Sequence, residues 1–491
     1  MESIKEKHSE MLSFIDCINE FSDEEICLKI DYIIRYLHEN HLYDQEEKIK
    51  VLAIKTIRNL SIKLGLIKKY YFLEDEEIRY CFSWKCVMSS IENLNEDDKI
   101  AILRQLFLHQ SFIGTPNLLN IPNDIKFGVE LEYYGVSYEQ IKELVDNKSI
   151  EIIMRALQIP TYIIDRIINN CDFEKENEFD KWIFSKESSD DLPEASSPIM
   201  LNTFDCLNQL KSICLLFKAL CAQTHGGTGL HINIGVDYFN DKIDALKYLL
   251  IIWGECEELF FKIANQENEE MRVCADTMSV PIKENIQKTF EENANFTLND
   301  QEDMNRFLYN VQVRKRLDDL LGFSHGNLEI ELLDAHTEEE KYNIFKKYLN
   351  EKSKNDTSIR YTSINFNHMT WNNNDNGRIE FRLFNSSLDF RTIIENILLI
   401  CKLFETSLAL ANFSEDKQQY FEKLLNRNVS EEEKLNLLLD LLFDFEEEKD
   451  NFRKRWLSVK DKSSYKKYYT GKNTFRSNQK SRCLNKVQQH T

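Results

Sequence analysis

Four short stretches of this chain alternate polar, chemically competent side chains with apolar ones, one residue at a time. They are Phe127-Gly-Val-Glu-Leu-Glu132, Gly229-Leu-His-Ile-Asn-Ile-Gly235, Tyr361-Thr-Ser-Ile-Asn365 and Arg378-Ile-Glu-Phe-Arg-Leu-Phe384. A period of two belongs to a strand, whose successive side chains point to opposite faces. Glu130 therefore shares a face with Glu132, His231 with Asn233, and Glu380 with Arg382, while Val129, Leu131, Ile232, Ile379, Phe381 and Leu383 face a core. If all four strands join one sheet, its polar side gathers three carboxylates, an imidazole, an amide and a guanidinium. Such a face suits divalent metal ions and phosphate. Glu130 and Glu132 lie about 7 Å apart along a strand, so each can hold its own hard cation or share one through water.

Breakers are scarce, with 13 Gly and 6 Pro in 491 residues, so long helices are expected around the sheet. The reading is an α+β chain. Residues 1–118 read as helical: Ile26, Ile30, Ile33, Ile34 and Leu37 form one stripe, and Val51, Ile54, Ile57, Leu60, Ile62 and Leu64 a second. Ser22 and Glu25 have the form of a capping box, and Asn95 is placed to open a helix over 99–110. Gly114-Thr-Pro-Asn117 and Ile121-Pro-Asn-Asp124 punctuate the chain just before the first strand.

The expected division is a helical N-terminal domain over 1–120, a catalytic domain over 121–412, and a helical segment with a basic tail over 413–491. Within the middle domain, helices are expected over 137–147, 204–223, 242–264 and 390–410. Asn-Gly at 376–377 predicts a hairpin between strands 360–367 and 378–384. Thr337 to Asn355 reads as an exposed charged helix or insertion. From Phe452 onward, 12 Lys/Arg stand against a single Asp, interleaved with Tyr465, Tyr468, Tyr469 and Phe475. That stretch reads either as a solubilising end or as a contact for an acidic partner, a membrane surface or RNA.

A net charge of −21 argues against nucleic-acid binding by the body of the protein. The 12 cysteines are scattered, with no CxxC pair. The first residues carry no apolar signal core, and no apolar run approaches the roughly 18–20 residues that span a bilayer. The expectation is a reduced, cytoplasmic protein without a transmembrane segment; nothing in the sequence fixes its oligomeric state.

Taken singly, each motif has an ordinary reading: a solvated Glu-x-Glu, a structural strand histidine, a surface Glu–Arg pair of little worth. Their order and shared geometry say more. Phe127-Gly-Val-Glu-Leu-Glu132, Glu194-Ala-Ser-Ser-Pro198, Gly229-Leu-His-Ile-Asn233, Arg360 with Asn365, Arg378-Ile-Glu-Phe-Arg-Leu-Phe384 and Leu388-Asp389 together resemble the amidoligase family. That family belongs to the carboxylate–amine ligase superfamily of glutamine synthetase and glutamate–cysteine ligase. The resemblance covers roughly 122–412. It implies a glutamine-synthetase-like antiparallel sheet curved into a half-barrel, with helices outside.

The resemblance further implies ATP-dependent amide or peptide bond formation through an acyl phosphate, with two or three Mg²⁺ ions, or Mn²⁺ in their place. It implies metal ligation by Glu130, Glu132, Glu194, His231 and Glu380. His231, Asn233, Arg360 and Arg382 would contact nucleotide, with Arg382 and Arg360 on the transferring phosphoryl group and Glu194 beside the amine. The partners would be a carboxylate and an amine, each small molecule, peptide or protein. Some positions depart from the family pattern: Asn233 stands where many relatives have a second histidine, Gly377-Arg378 where they have Gly-Thr, Ser386-Ser387 where they have another Gly-Thr, and Ala195 where they have a larger aliphatic residue. Two other uses of the same face remain open, a phosphotransferase or nucleotidyltransferase and a non-catalytic Mg-ATP-binding scaffold.

Overall fold

The computed structural model describes residues 11–264 apart from 72–83, 108–109, 170, 174–179, 187–191, 225–227 and 240–241, then scattered positions between 331 and 344, and 363–365, 368, 377–425 and 429–459. The residues form two compact units interleaved in sequence. One comprises Met1–Thr115, Tyr134–Phe173 and Asn208–Gln223; the other comprises Pro116–Tyr133, Glu174–Leu207 and Thr224–Thr491. These lines differ from the sequence division at 120 and 412. Segments 134–173 and 208–223 join the N-terminal helices, and the helices after 412 belong with the sheet.

The first unit is helical, with the helices Asp23–Glu39, Tyr43–Thr56, Leu60–Tyr71, Trp84–Ser90, Glu96–Leu106, Tyr138–Asp146, Ser149–Ala156 and Thr161–Ile168. Local chemistry sets its boundaries. The Ser22 hydroxyl accepts from Glu25 N–H while the Glu25 carboxylate accepts from Ser22 N–H, a complete capping box. Asn95 caps the helix Glu96–Leu106, which therefore starts three residues before the expected position. Ile26, Ile30, Ile33 and Leu37 are buried as their spacing predicts.

The second predicted stripe fails at its midpoint. The chain leaves the helix at Ile57, where the Asp23 carboxylate accepts the N–H groups of Arg58 and Asn59. It restarts at Leu60 in a new phase that buries Lys63, Leu66 and Ile67 in place of Ile62 and Leu64. Lys63 is 1% exposed, and its ammonium donates to Ile54 O at 2.6 Å and Lys55 O at 3.2 Å. These are last-turn carbonyls that the helix itself leaves unsatisfied. Burial pushes the Lys63 ammonium down to about 8, against roughly 10.4 in an unfolded chain.

Between those values the unfolded chain binds more protons than the folded one, so stability rises with pH across about 8 to 10.4 and gains nothing from Lys63 below that window. Urea midpoints of wild type and Lys63→Met, compared from pH 7 to 10, should show a Lys63-dependent rise. Parallel profiles would refute it.

The second unit carries the strands β1 (Phe127–Glu132), β3 (Trp182–Lys186), β4 (Pro193–Ser196), β5 (Gly229–Gly235), β6 (Ile364–Asn365) and β7 (Arg378–Asn385); the two-residue β2 (Cys171–Asp172) is counted with the first unit. Their order is β3-β4-β1-β5-β7-β6. β1 runs antiparallel to β4 and β5, β3 to β4, and β7 to β5 and β6. The chain is thus α+β. The expected pairing of residues near 360–367 with 378–384 is present, as Ile364 opposite Phe381 and Asn365 opposite Glu380. Its connecting turn, residues 369–376, lies outside the described residues, as do 345–355 of the charged insertion.

Helices Ile243–Ala264 and Phe390–Ala411 cover the apolar face of the sheet. Trp253 stacks on Phe260 at 4.5 Å and meets Phe381 edge-on at 5.2 Å, and Phe404 stacks on Phe239 at 4.7 Å. Each such ring contributes about 1.5–3 kcal/mol by leaving water. Asp389 caps the second of these helices through Thr392 N–H.

The C-terminal helices Glu415–Leu424, Glu431–Leu442 and Glu446–Val459 belong to the same unit. Lys262 pairs with Glu431 at 2.6 Å, Lys434 with Glu255 at 2.9 Å, and Phe452 stacks on Phe443 at 5.1 Å. The basic stretch from Phe452 onward therefore begins inside a packed helix and not as a free end. Its remainder, 460–491 with Tyr465, Tyr468, Tyr469 and Phe475, lies outside the described residues. Among the described residues no helix is long and apolar enough to cross a membrane.

Candidate functional site

Register decides which polar side chains meet. Glu130 stands opposite His231 on β5 and Ser196 on β4, Glu132 opposite Glu194, Asn233 opposite both Gly128 and Glu380, and Asn365 opposite Glu380. Cross-strand partners share a face, so one side of five strands carries all these groups. β7 has an irregularity here. Leu230 pairs with Phe384 but Ile232 pairs with Phe381, so Arg382 and Leu383 together face the single His231. This is a β-bulge, a device that re-aims a side chain. It brings Arg382 Nη1 to 3.5 Å from His231 Nδ1 and 2.5 Å from Glu380 Oε1.

His231 is the hub. Its Nδ1 lies 3.1 Å from Glu130 Oε2 and 3.2 Å from Glu380 Oε1, and its Nε2 lies 3.4 Å from Glu132 Oε1. Two carboxylate oxygens facing one ring nitrogen favour a hydrogen on Nδ1. Around the hub, Asn233 Nδ2 donates to Glu130 Oε1 at 3.0 Å, Asn365 Nδ2 to Glu380 Oε2 at 2.6 Å, and Gly229 N–H to Glu132 Oε2 at 2.5 Å. The Ser196 hydroxyl donates to Glu194 Oε1 at 2.7 Å. Burial, with the charge of Glu194 added, pushes the Tyr133 phenol far above its usual range. Glu132, Glu194, His231, Glu380 and Arg382 are all buried, whereas Glu130 keeps 22% of its side chain exposed. Glu130 is where the cluster meets solvent.

Four buried or half-buried glutamates thus stand with one imidazole and the guanidiniums of Arg382 and Arg378. Buried carboxylates need compensation, and a divalent cation is one group that supplies it. The donor set fits one. One atom each of Glu130, His231 and Glu380 lies within 4.8 Å of the others. Two carboxylates and an imidazole make a mixed oxygen–nitrogen set, which suits Mn²⁺ at least as well as the oxygen-preferring Mg²⁺.

No known family model matches the chain, and no curated protein matches it.

Of the residues singled out from sequence, Glu130, His231, Glu380, Arg382 and Asn233 come together. Glu132 reaches the far nitrogen of His231, and Glu194 sits one strand further along, opposite Glu132, outside the three-residue cluster. Arg360 lies outside the described residues. Two further residues take part that the sequence reading does not assign to the site. Asn365 holds Glu380, and Arg378 donates through Nε to Asn233 Oδ1 at 3.1 Å. The alternation that selects Glu380 and Arg382 also places Arg378 on the same face, so its signal is present in the sequence.

Proposed function

We propose that the polar face of this sheet is the active site of an ATP-dependent carboxylate–amine ligase that uses Mg²⁺ or Mn²⁺. The carrying observation is the meeting of Glu130, His231 and Glu380 around one point, with a buried arginine, Arg382, at its edge. The antiparallel pairing of the strands that present these groups agrees with the antiparallel sheet that the resemblance implies. In this reading Glu130, His231 and Glu380 hold the ion, with Glu132 and Glu194 extending the acidic face for further ions. A divalent ion there would neutralise negative charge on nucleotide and acid.

Arg382 stabilises charge on the phosphoryl group in flight, the usual task of a rigid guanidinium fork. Arg360 is assigned to the same phosphates by the resemblance. Glu194, held by the Ser196 hydroxyl, orients the amine and takes a proton as it attacks the acyl phosphate. Asn233 keeps Glu130 in place and does not itself ligate.

The test begins with binding. Mn-ATP at about 100 times its Kd should stabilise the wild type by about 2.7 kcal/mol, seen as a raised melting temperature, and Glu380→Gln should lose the effect. Product mass with acid and amine panels then distinguishes ligation, a loss of water between two substrates, from phosphate or nucleotide transfer. A melting temperature indifferent to Mn-ATP would overturn the reading.

A further inference from the structure

We infer that Arg378 is a positioning residue for the ion site, acting through Asn233 on Glu130; the inference rests on the ion-binding reading above. The chemistry of the three groups fixes the direction of the relay. A guanidinium only donates and an ionised carboxylate only accepts. Arg378 Nε lies 3.1 Å from Asn233 Oδ1, and Asn233 Nδ2 lies 3.0 Å from Glu130 Oε1. The amide therefore has one orientation, oxygen toward Arg378 and nitrogen toward Glu130.

That orientation holds Glu130 Oε1 and leaves Oε2 on the side of His231 Nδ1, 3.1 Å away. Without Arg378 the amide is held from the Glu130 side only, so it can tilt and Glu130 loses its fixed donor.

Backbone placement makes the reach feasible. Arg378 stands opposite Gly235 and Asn233 opposite Gly128, on the same face. Neither glycine puts a side chain between the guanidinium and the amide. A Cβ at Gly235 would fall 2.6 Å from Asp237 Oδ1 and 3.3 Å from Lys126 Cβ, so the space is already bounded. Arg378 is half-buried where Arg382 is buried, which puts it at the rim, away from the point where Glu130, His231 and Glu380 meet.

Groups that orient ligands in this way usually set affinity by about 10–100-fold. Arg378→Met keeps the stem and removes the donors. We expect it to weaken Mn²⁺ binding about tenfold, read by calorimetry or by the Mn²⁺ resonance signal, with the variant still unfolding in one cooperative transition when no Mn²⁺ is added. Arg378→Lys, which restores one donor, should recover part of the affinity.

The relay makes one further demand. Arg378→Met added to Asn233→Ala should cost nothing more, because the amide it orients is gone. A wild-type Mn²⁺ affinity in Arg378→Met, or fully additive losses in the double variant, would overturn the relay while Glu380→Gln still abolished binding. Equal Mn²⁺ binding by wild type and Glu380→Gln would instead overturn the ion site and the relay together.

Discussion

Replacing Arg382 by methionine is expected to destabilise the ion-free protein by about 3–5 kcal/mol, the range for removing one partner of a buried ion pair. Arg382 is 4% exposed and sits 2.5 Å from Glu380, itself 3% exposed. Taking the guanidinium away leaves the buried Glu132 and Glu380 and the half-buried Glu130 around one imidazole, short of one positive charge. Both contacts come from one nitrogen, Nη1, so lysine, whose ammonium can take that single place, should recover part of the loss. The same argument predicts a coupling. Mn²⁺ supplies the charge that the variant lacks, so it should raise the denaturation midpoint of Arg382→Met more than that of wild type. Urea denaturation with and without Mn²⁺ checks both statements. A loss under about 1 kcal/mol without the ion would show that the carboxylates are not sharing charge as described.

Arg455→Met is expected to cost a similar amount, about 3–5 kcal/mol, for a reason unconnected with catalysis. Arg455 is 1% exposed in the helix Glu446–Val459. Its guanidinium donates to Glu395, to Asn396 Oδ1 at 2.7 Å and to Ile263 O at 3.3 Å. It thereby ties the last described helix to both helices that cover the sheet. Methionine fills the volume but strips the donor from the buried Asn396 Oδ1 and from one oxygen of the half-buried Glu395, whose other oxygen keeps Arg391 at 2.9 Å. Lys454, its exposed neighbour, should be replaceable by methionine within about 0.5 kcal/mol. Equal effects at the two positions in an equilibrium denaturation series would contradict the anchoring role and restore the view of this stretch as a solvated basic end.

The contrast between Lys454 and Arg455 shows where sequence reading runs out. Composition alone makes 452–491 a uniform basic tract, and nothing in it marks one arginine of the twelve basic residues as buried. The partner carboxylate is 60 residues away. Lys63 fails to stand out for the same reason: the helix phase changes at 57–59 because of a carboxylate at Asp23, and no local pattern encodes that capture.

The strands are legible because a period of two, with His, Glu and Arg on one side only, fits a half-buried strand and breaks the stripe of a helix. Register across strands is not. Glu194 can be placed before Ser-Pro by resemblance, but its separation from the Glu130–His231–Glu380 point follows from the β1–β4 pairing. The unit boundaries are also hidden, since segments 134–173 and 208–223 return to helices far behind them in the chain.

The extra residue in β7 ties charge balance to strand geometry. Deleting either Arg382 or Leu383 would let Leu230 and Ile232 pair with β7 in an unbroken ladder, a gain in backbone regularity. Losing Arg382 would subtract the guanidinium, whereas losing Leu383 would set Arg382 squarely opposite the imidazole. The bulge therefore tunes how the positive charge approaches its acidic neighbours, and a change of strand length by one residue is here also a change of electrostatics.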